Sequence, residues 1–269
     1  MLSGWPKLTR PRGSLDSYPI RAGNANGNLS GWPSRATPTR LDTKDSLATG
    51  LAGWWPFNEG MGATVLRDWS LNANHASMVS MGAAKPSGWG VNDGLRSSGG
   101  LWFDGTNDYV NVPHIPALAI TGDISVVQWH YPLNFTAGWW EPLRKGSGGY
   151  PQPLSISIEQ TLGTFYFARG NGASQRYGFS SNVEVANRWN CAIGTNTGSS
   201  FVLYLNGIKS TRTDGSGGVS DSGGALFIGS RATSCCWFPG AIAHTRIYNR
   251  VLTDSEAARI YADPWAGAV

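Results

Sequence analysis

The sequence predicts an all-β protein: an antiparallel β-sandwich with a short C-terminal helix and an extended N-terminal arm. Short segments rich in β-branched and aromatic residues recur along the 269 residues, and a chain with 36 glycines and 15 prolines offers many turns between them. Two turns, Asp104-Gly105 and Asn206-Gly207, are of the kind that close tight hairpins, since glycine readily adopts positive φ. Charged residues make up only 14% of the chain, too few for a coiled coil, and the apolar content excludes wholesale disorder.

Residues 1–47 form the predicted arm, because their isolated apolar residues cannot build a core that offsets the entropy of ordering. Leu2–Pro11 (LSGWPKLTRP) and Leu29–Pro38 (LSGWPSRATP) share five opening residues and a closing proline. Seven basic and three acidic residues in the arm account for the whole net charge of +4. The repeat allows three interpretations: a duplicated linker, a strap that packs on its own domain, or an arm with two motifs that dock on a partner. In the last interpretation the docking residues are Trp5, Pro6, Arg10, Arg12, Trp32, Pro33 and Arg35.

The folded domain is predicted over residues 48–269. Leu101–Phe103 and Tyr109–Val112 are predicted to pair as a hairpin, with Ile124–Tyr131 packing across from them. Phe135–Trp140 is interpreted as an aromatic loop. Further strands are predicted at Leu51–Phe57, Leu154–Gln160, Thr164–Ala168, Arg176–Ser180, Arg188–Thr195, Phe201–Leu205, Ile208–Thr211, Leu226–Gly229 and Phe238–Asn249.

One helix is predicted near the end of the chain. Thr253 and Glu256 have the spacing of a capping box, in which each side chain bonds the other residue's backbone amide. The helix is expected to end before Pro264, because proline cannot continue it.

Three motifs lie at the start, middle and end of residues 48–265: GLAGWWPFNEG, LWFDGTNDYV and RIYNRVLTDSEAARIYADPW. They resemble the laminin-G-like, concanavalin A-like jelly rolls, including proteins of this type encoded by tailed bacteriophages. The resemblance implies a jelly-roll sandwich, a fold that hosts lectins, accessory modules of enzymes and virion proteins alike. The matching residues are Gly50, Leu51, Trp55, Phe57, Glu59, Gly60, Gly62, Asp68, Ser70, Asn72, Asn74, Leu101, Phe103, Asp104, Gly105, Asp108, Tyr109, Val110, Ile124, Ser125 and Trp129.

The sequence leads us to expect that the protein is not an enzyme and has no catalytic residues. A glycosidase of this fold needs two carboxylates across a cleft, and no predicted strand carries alternating acids. The acidic pair Asp254 and Glu256 is explained by the helix cap. The four histidines lie in no zinc or nucleophile motif, and each is interpreted as a surface or packing residue.

No metal and no cofactor is expected, although calcium is the alternative. Relatives suggested by the resemblance bind calcium near the opening Asp motif and near two acids of the last strand. This chain keeps Glu59 and Asp68, but Ala243 and His244 replace the two acids. The acidic residues around Asp104-Gly105 are interpreted as turn formers. The thiols are expected to be structural, Cys191 as a buried hydrophobe and Cys235-Cys236 as neighbours whose bonding would be strained.

Glycan binding would use exposed aromatic side chains, and the candidates are Trp139, Trp140 and Trp237. The expected function is a non-enzymatic bacteriophage structural protein on the capsid surface, anchored by its arm, whose sandwich projects outward and contacts host-surface glycans. Its partners would be capsid or other virion proteins and further copies of itself, without membrane or nucleic acid. The start of the chain lacks the apolar core of a secretory signal, so we expect synthesis in the host cytoplasm and assembly into the virion. The alternatives are a carbohydrate-binding or adhesion module of a cellular or tail-fibre protein and, as a third class, a glycosidase.

Overall fold

A computed structural model describes residues 38–83, 85–90, 100–136, 138–146, 153–171, 173–211, 218–231 and 235–269. The docking residues predicted in the arm, Trp5 to Arg35, lie outside the described residues. Within the described residues no helix is long and apolar enough to span a membrane.

The described residues form sixteen strands and one α-helix. The strands are β1 (Leu51–Trp55), β2 (Val65–Leu66), β3 (Ala76–Val79), β4 (Gly88–Trp89), β5 (Leu101–Asp104), β6 (Tyr109–Val112), β7 (Ile124–Pro132), β8 (Trp139–Lys145), β9 (Leu154–Glu159), β10 (Thr164–Gly170), β11 (Gln175–Val183), β12 (Asn190–Thr197), β13 (Ser200–Leu205), β14 (Ile208–Ser210), β15 (Leu226–Ile228) and β16 (Pro239–Tyr248). The helix α1 is Asp254–Ala262.

Two antiparallel sheets face each other, as the predicted β-sandwich requires. The first sheet has the order β14-β13-β12-β7-β16-β5-β4. β5 and β1 pair with the same edge of β16, β5 along its first half and β1 along its second. The second has the order β11-β10-β9-β8-β15-β6-β3-β2. Because successive side chains of a strand point to opposite faces, each sheet lays one row of apolar side chains against the other sheet. Ile156, Ile158, Phe165 and Phe167 are fully buried members of this core.

The predicted hairpin of residues 101–112 is corrected by the structure. The turn itself is present: Gly105 has a φ of 77°, and Asp104 Oδ1 accepts hydrogen bonds from the amides of Thr106 and Asn107. The two strands, however, do not pair with each other. β5 pairs with β4 and β16 in the first sheet, whereas β6 pairs with β3 and β15 in the second. The turn therefore carries the chain from one sheet to the other.

The last ten residues of the predicted arm, 38–47, belong to the folded domain. Leu41 forms a β-bridge with Ala268, and the amide of Asp42 donates to the carbonyl of Gly267. Leu47 is buried in the core, and Asp45 forms an ion pair with Arg259 at 2.6 Å. The arm boundary drawn after residue 47 thus falls too late, because the partner of this segment is the other end of the chain.

The predicted capping box is confirmed, and the helix that it begins covers the outer face of the first sheet. Thr253 Oγ1 accepts from the amide of Glu256, and the Glu256 carboxylate accepts from the amide of Thr253. Tyr261 of α1 stacks on Trp129 of β7, with 6.1 Å between ring centroids. This face of the sandwich is therefore closed by the C-terminal segment.

Candidate functional site

The outer face of the second sheet carries a row of aromatic side chains. Tyr166 of β10 is paired with Ser157 of β9 on one side and with Phe179 of β11 on the other. Its neighbours in sequence, Phe165 and Phe167, point into the core, so Tyr166 and the residues paired with it point outward. A β-strand that is buried on one face and half-exposed on the other produces this alternation.

Four rings make up this aromatic row: Trp139, Tyr166, Tyr177 and Phe179. The centroid of Tyr166 lies 5.0 Å from Trp139, 5.9 Å from Tyr177 and 5.6 Å from Phe179. Trp139 is 45% exposed, and the other three rings are half-buried. Tyr166 meets Trp139 edge-on and Tyr177 at a tilt, and it stacks on Phe179, so these contacts hold the orientation of its ring. The row comes from three strands, and only Trp139 was predicted from the sequence.

The three predicted glycan-binding tryptophans have different surroundings. Trp139 belongs to the aromatic row, whereas Trp140 is only 5% exposed and packs between Phe135 and Phe238. Trp140 is therefore a core residue, and the prediction that it meets a ligand is corrected. Trp237 is half-buried and lies 6.1 Å from Tyr109, centroid to centroid.

Trp237 belongs to a second aromatic cluster on the same face of the sheet. Tyr109 precedes the core residue Val110 and so points outward, and it contacts Phe227 of β15 at 5.9 Å. We call Tyr109, Phe227 and Trp237 the second cluster. Because β6 and β15 lie on the far side of β8 from β10 and β11, the two groups of rings occupy opposite halves of one face.

Between the two groups lies a buried ion pair. Arg144 of β8 is paired with Phe227 on one side and with Ser155 on the other, and its guanidinium meets the Glu141 carboxylate at 2.5 Å. Both side chains are fully buried, so each neutralises the charge of the other. Removing one partner of such a pair typically costs about 3–5 kcal/mol, because the other charge is then buried alone.

A turn at one end of the aromatic row brings further apolar surface. Glu159 caps this turn by accepting from the amides of Thr161 and Leu162. Although burial opposes ionisation, these hydrogen bonds lower the pKa of Glu159. Leu162 in this turn and Val183 at the end of β11 are exposed. The row is thus continued by aliphatic side chains beside one anchored carboxylate.

The carboxylates considered for calcium are engaged in fixing loops. The Asp68 oxygens accept from the amides of Trp54, Ser70 and Asn74 and from the Ser70 hydroxyl. Asp108 accepts from the amide of Asp104 at 2.9 Å. Among the described residues, no three His, Cys, Asp or Glu side chains come together as metal ligands would.

The histidine that replaces an acid of the last strand has a packing role. His244 is fully buried at a bulge in β16, with a φ of 47°, and its ring stands perpendicular to Trp265 at 4.4 Å. Trp54 and Trp69 complete this group of rings, and Arg246 lies 3.9 Å above Trp54. His244 thus packs within a group of tryptophan rings.

Sequence analysis missed the ionic environment of two other histidines. His130 Nε2 lies 2.8 Å from Glu184 in the interior, and both side chains are fully buried. His114 Nδ1 contacts Lys145 Nζ at 3.0 Å, and the same ammonium group meets Asp221 at 2.7 Å. Burial raises the pKa of Asp221, but the contact with Lys145 outweighs this effect and lowers the pKa below its usual value. These partners lie far apart in the sequence, which carries no local signal for them.

The sequence profile of the concanavalin A-like lectin/glucanases superfamily matches residues 104–258, which is more than half of the chain. The chain belongs to this superfamily. The predicted family resemblance and the predicted all-β sandwich are therefore confirmed. A comparison of this sequence with proteins that have curated descriptions finds no match.

Solved structures with the same fold include binding domains and enzymes. The binding domain of Paraclostridial Mosquitocidal Protein 1 has 15% identity and a TM-score of 0.63, covering 82% of this chain and 54% of that one. The receptor binding domain of botulinum neurotoxin D has 14% identity and a TM-score of 0.59, with coverage of 82% and 54%. Trypanosoma rangeli sialidase in complex with sialic acid has 15% identity and a TM-score of 0.56. This chain is 82% covered in that comparison but spans only 34% of the sialidase chain.

These neighbours correct the prediction that the superfamily member is not an enzyme. Sialidase chains share its fold over most of its length, so the lack of alternating acids on one strand is no ground for excluding catalysis. That prediction was wrong because it tested one arrangement of carboxylates only. At 15% identity the likeness shows the fold alone, and it assigns no sialidase activity to this chain.

Proposed function

We propose that the protein is a glycan-binding module whose ligand lies across the aromatic row on the outer face of the second sheet. The observation that carries this proposal is the grouping of four partly exposed rings, Trp139, Tyr166, Tyr177 and Phe179, on one flat strand surface. The apolar face of a pyranose packs on such rings, and the flanking polar groups orient its hydroxyls. The superfamily includes lectins, and two structural neighbours are binding domains.

Substitution within the row tests the proposal. Trp139→Ala and Tyr166→Ala should each weaken binding to glycans identified on an array by about 2 kcal/mol, or roughly 30-fold, as expected for an aromatic anchor. Leu71→Ala is the matched control, since Leu71 is 81% exposed and lies between β2 and β3 at the opposite edge of the sheet. The proposal fails if no glycan binds, or if glycans bind and both variants keep the affinity of the native protein.

We propose further that this module is carried on a bacteriophage particle, made in the host cytoplasm and anchored by residues 1–37. The support is in the sequence: two LSGWP motifs, a net charge of +4 in the arm and the resemblance to phage-encoded jelly rolls. Two linked motifs gain affinity through effective concentration, and basic residues would steer them to an acidic capsid surface. Capsid or other virion proteins, and further copies of the chain, are the proposed partners.

A truncated chain that begins at Pro38 tests the anchor without disturbing residues 38–47. It should fold and yet be absent from purified particles, and Trp5→Ala with Trp32→Ala should reduce incorporation more than either change alone. Full occupancy of the truncated chain would contradict the anchor. The alternative, an adhesion module of a cellular or tail-fibre protein, would then be favoured, in keeping with the receptor-binding neighbour.

A further inference from the structure

The segment that leads into β16 carries two adjacent cysteines beside the edge of β8. The carbonyl of Cys236 accepts a hydrogen bond from the amide of Glu141 on β8, at 3.1 Å. The next residue, Trp237, belongs to the second cluster. Cys236 thus lies against the edge of β8 and directly precedes a member of the second cluster.

The fold brings the two thiols together. Side chains of adjacent residues in an extended chain point to opposite sides, so neighbouring cysteines normally keep their sulfur atoms apart. Cys236 instead has a φ of 61°, a left-handed conformation that is rare for a residue with a Cβ atom. In this turn the two Sγ atoms are 2.7 Å apart, closer than two thiols in ordinary contact.

The backbone around the pair is fixed on both sides. The amide of Arg231 donates to the carbonyl of Cys235, and the amide of Phe238 donates to the carbonyl of Gly229. Phe238 is also fully buried in the core. The turn is therefore imposed by the packing of the domain, and the thiols are preorganised for reaction with each other.

We infer that Cys235 and Cys236 form a redox-modification site, where a low-molecular-weight disulfide such as oxidised glutathione closes the two thiols into a vicinal disulfide. One cysteine thiolate attacks a sulfur of the reagent, the reagent's S–S bond breaks, and one glutathione thiolate leaves. The second cysteine thiolate attacks the protein sulfur of this mixed disulfide and expels the second glutathione thiolate. The protein loses two electrons and two protons, and the reagent gains them as two thiols.

The surroundings of Cys236 affect its reactivity. Burial, together with the hydrogen bond and charge of Cys235, raises the pKa of the Cys236 thiol to about 12. Because the thiolate is the nucleophile, this shift slows the attack of Cys236 on the reagent, and whichever thiol reacts first is resolved by its neighbour. Cys191 takes no part, since it is 1% exposed and burial raises the pKa of its thiol further still.

Closure would affect the second cluster, which shares one face of the sheet with the aromatic row proposed to bind glycans, and a consequence for glycan binding alone rests on the proposed function. The eight-membered ring fixes the peptide between Cys235 and Cys236 and thereby the backbone that enters Trp237. In the reduced state the same backbone is held by hydrogen bonds and by the burial of Phe238, without a covalent link between the two side chains. In the oxidised protein the position of Trp237 relative to Tyr109 and Phe227 is therefore more restricted than in the reduced protein.

Peptide mass spectrometry tests the modification itself. The full chain is equilibrated with oxidised glutathione, alkylated in denaturant and cleaved with trypsin, which releases both cysteines in residues 232–246 and Cys191 in residues 189–209. The expected product is an unalkylated 232–246 peptide lighter than the dithiol by two hydrogen atoms. The inference is overturned if this peptide is alkylated at both cysteines or carries glutathione.

Matched controls separate the effect of the fold from that of sequence. The Cys191→Ser variant should form the same closed peptide, whereas Cys236→Ser should stop at the mixed disulfide of Cys235 with glutathione. The free peptide 232–246 should take up glutathione and close at least roughly 10-fold more slowly, because its thiols are not preorganised. Equal closure in the free peptide would overturn the role given to the fold. Glycan affinity is then measured separately on both redox forms, so that a failure of glycan binding leaves the mass result intact.

Discussion

Leu47→Ala is expected to destabilise the whole domain, although the sequence places this residue in an arm. Leu47 is 1% exposed and packs against the backbone at Gly267. The neighbouring backbone is held by the hydrogen bond from the amide of Asp42 to the carbonyl of Gly267, at 2.9 Å, and by the bridge between Leu41 and Ala268. The wall of the new cavity therefore cannot easily collapse. Core Leu→Ala changes cost about 2–5 kcal/mol, and we expect about 3 kcal/mol here.

Urea denaturation and thermal melting measure this effect. A loss of about 3 kcal/mol corresponds to a fall of roughly 6–12 °C in the melting temperature of a domain of this size. Leu162→Ala is the control, because Leu162 is 67% exposed and its truncation should change the free energy of unfolding by less than about 0.5 kcal/mol. If Leu47→Ala is as stable as this control, residues 38–47 do not contribute to the fold and our placement of the arm boundary is refuted.

Two further predictions concern buried carboxylates. Although burial raises it, hydrogen bonds from Arg250 and Thr253 bring the pKa of Glu256 down from 4.5 to about 2. Because the pKa is lower in the folded state, Glu256 stabilises the fold above pH 4.5 and loses this effect as the pH falls towards about 2. In Glu256→Gln the urea midpoint should therefore depend less on pH across this range. A variant with the same pH dependence as the native protein would contradict the assignment. Asp68→Ala removes the acceptor of three amides and a hydroxyl, and should lower the free energy of unfolding by about 2–4 kcal/mol in the same assay. A cost below about 0.5 kcal/mol would show that water replaces Asp68 in the loop.

Elements defined by a few neighbouring residues were predictable. Asn206 and Gly207 both have positive φ, at 54° and 80°, and they join two paired strands as the Asn-Gly turn predicts. The capping box at Thr253 and Glu256 begins α1 at the expected residue. In both cases the preferred backbone conformation and its hydrogen bonds are contained within four residues, so distant parts of the chain have little influence.

Strand β8 was missed because its signal is interrupted. Trp139–Lys145 contains Pro142, and a proline normally argues against a strand in the middle of a sheet. The structure accommodates it where the pairing with β9 shifts register between Trp140 and Leu143. The Pro142 carbonyl accepts from Gln128 of the facing sheet and from the amide of Gly229. Neither partner is a sequence neighbour of Pro142, since Gln128 lies on the preceding strand in the other sheet and Gly229 follows β15.

The aromatic row could be predicted only in part for the same reason. Trp139 and Trp140 are adjacent and chemically identical, yet one faces solvent and the other packs on Phe238. Which of two neighbouring residues points outward depends on the register of the strand in its sheet. The ring of Tyr166 joins the row through pairing across β9 and β11, which no local pattern specifies.

By itself the sequence determined the all-β class, the positions of the tight turns, the capped helix and the family, because these depend on local conformational preference and on motifs of contiguous residues. Only the tertiary structure decided that β5 and β6 lie in different sheets, that residues 38–47 pair with the C-terminus, and that rings from three strands form one surface. It also decided that the thiols of Cys235 and Cys236 converge, through a left-handed turn held by contacts with β8. Strand pairing and side-chain burial are stabilised by contacts between residues far apart in the sequence. These contacts form only when the chain folds, so no local pattern of residues specifies them.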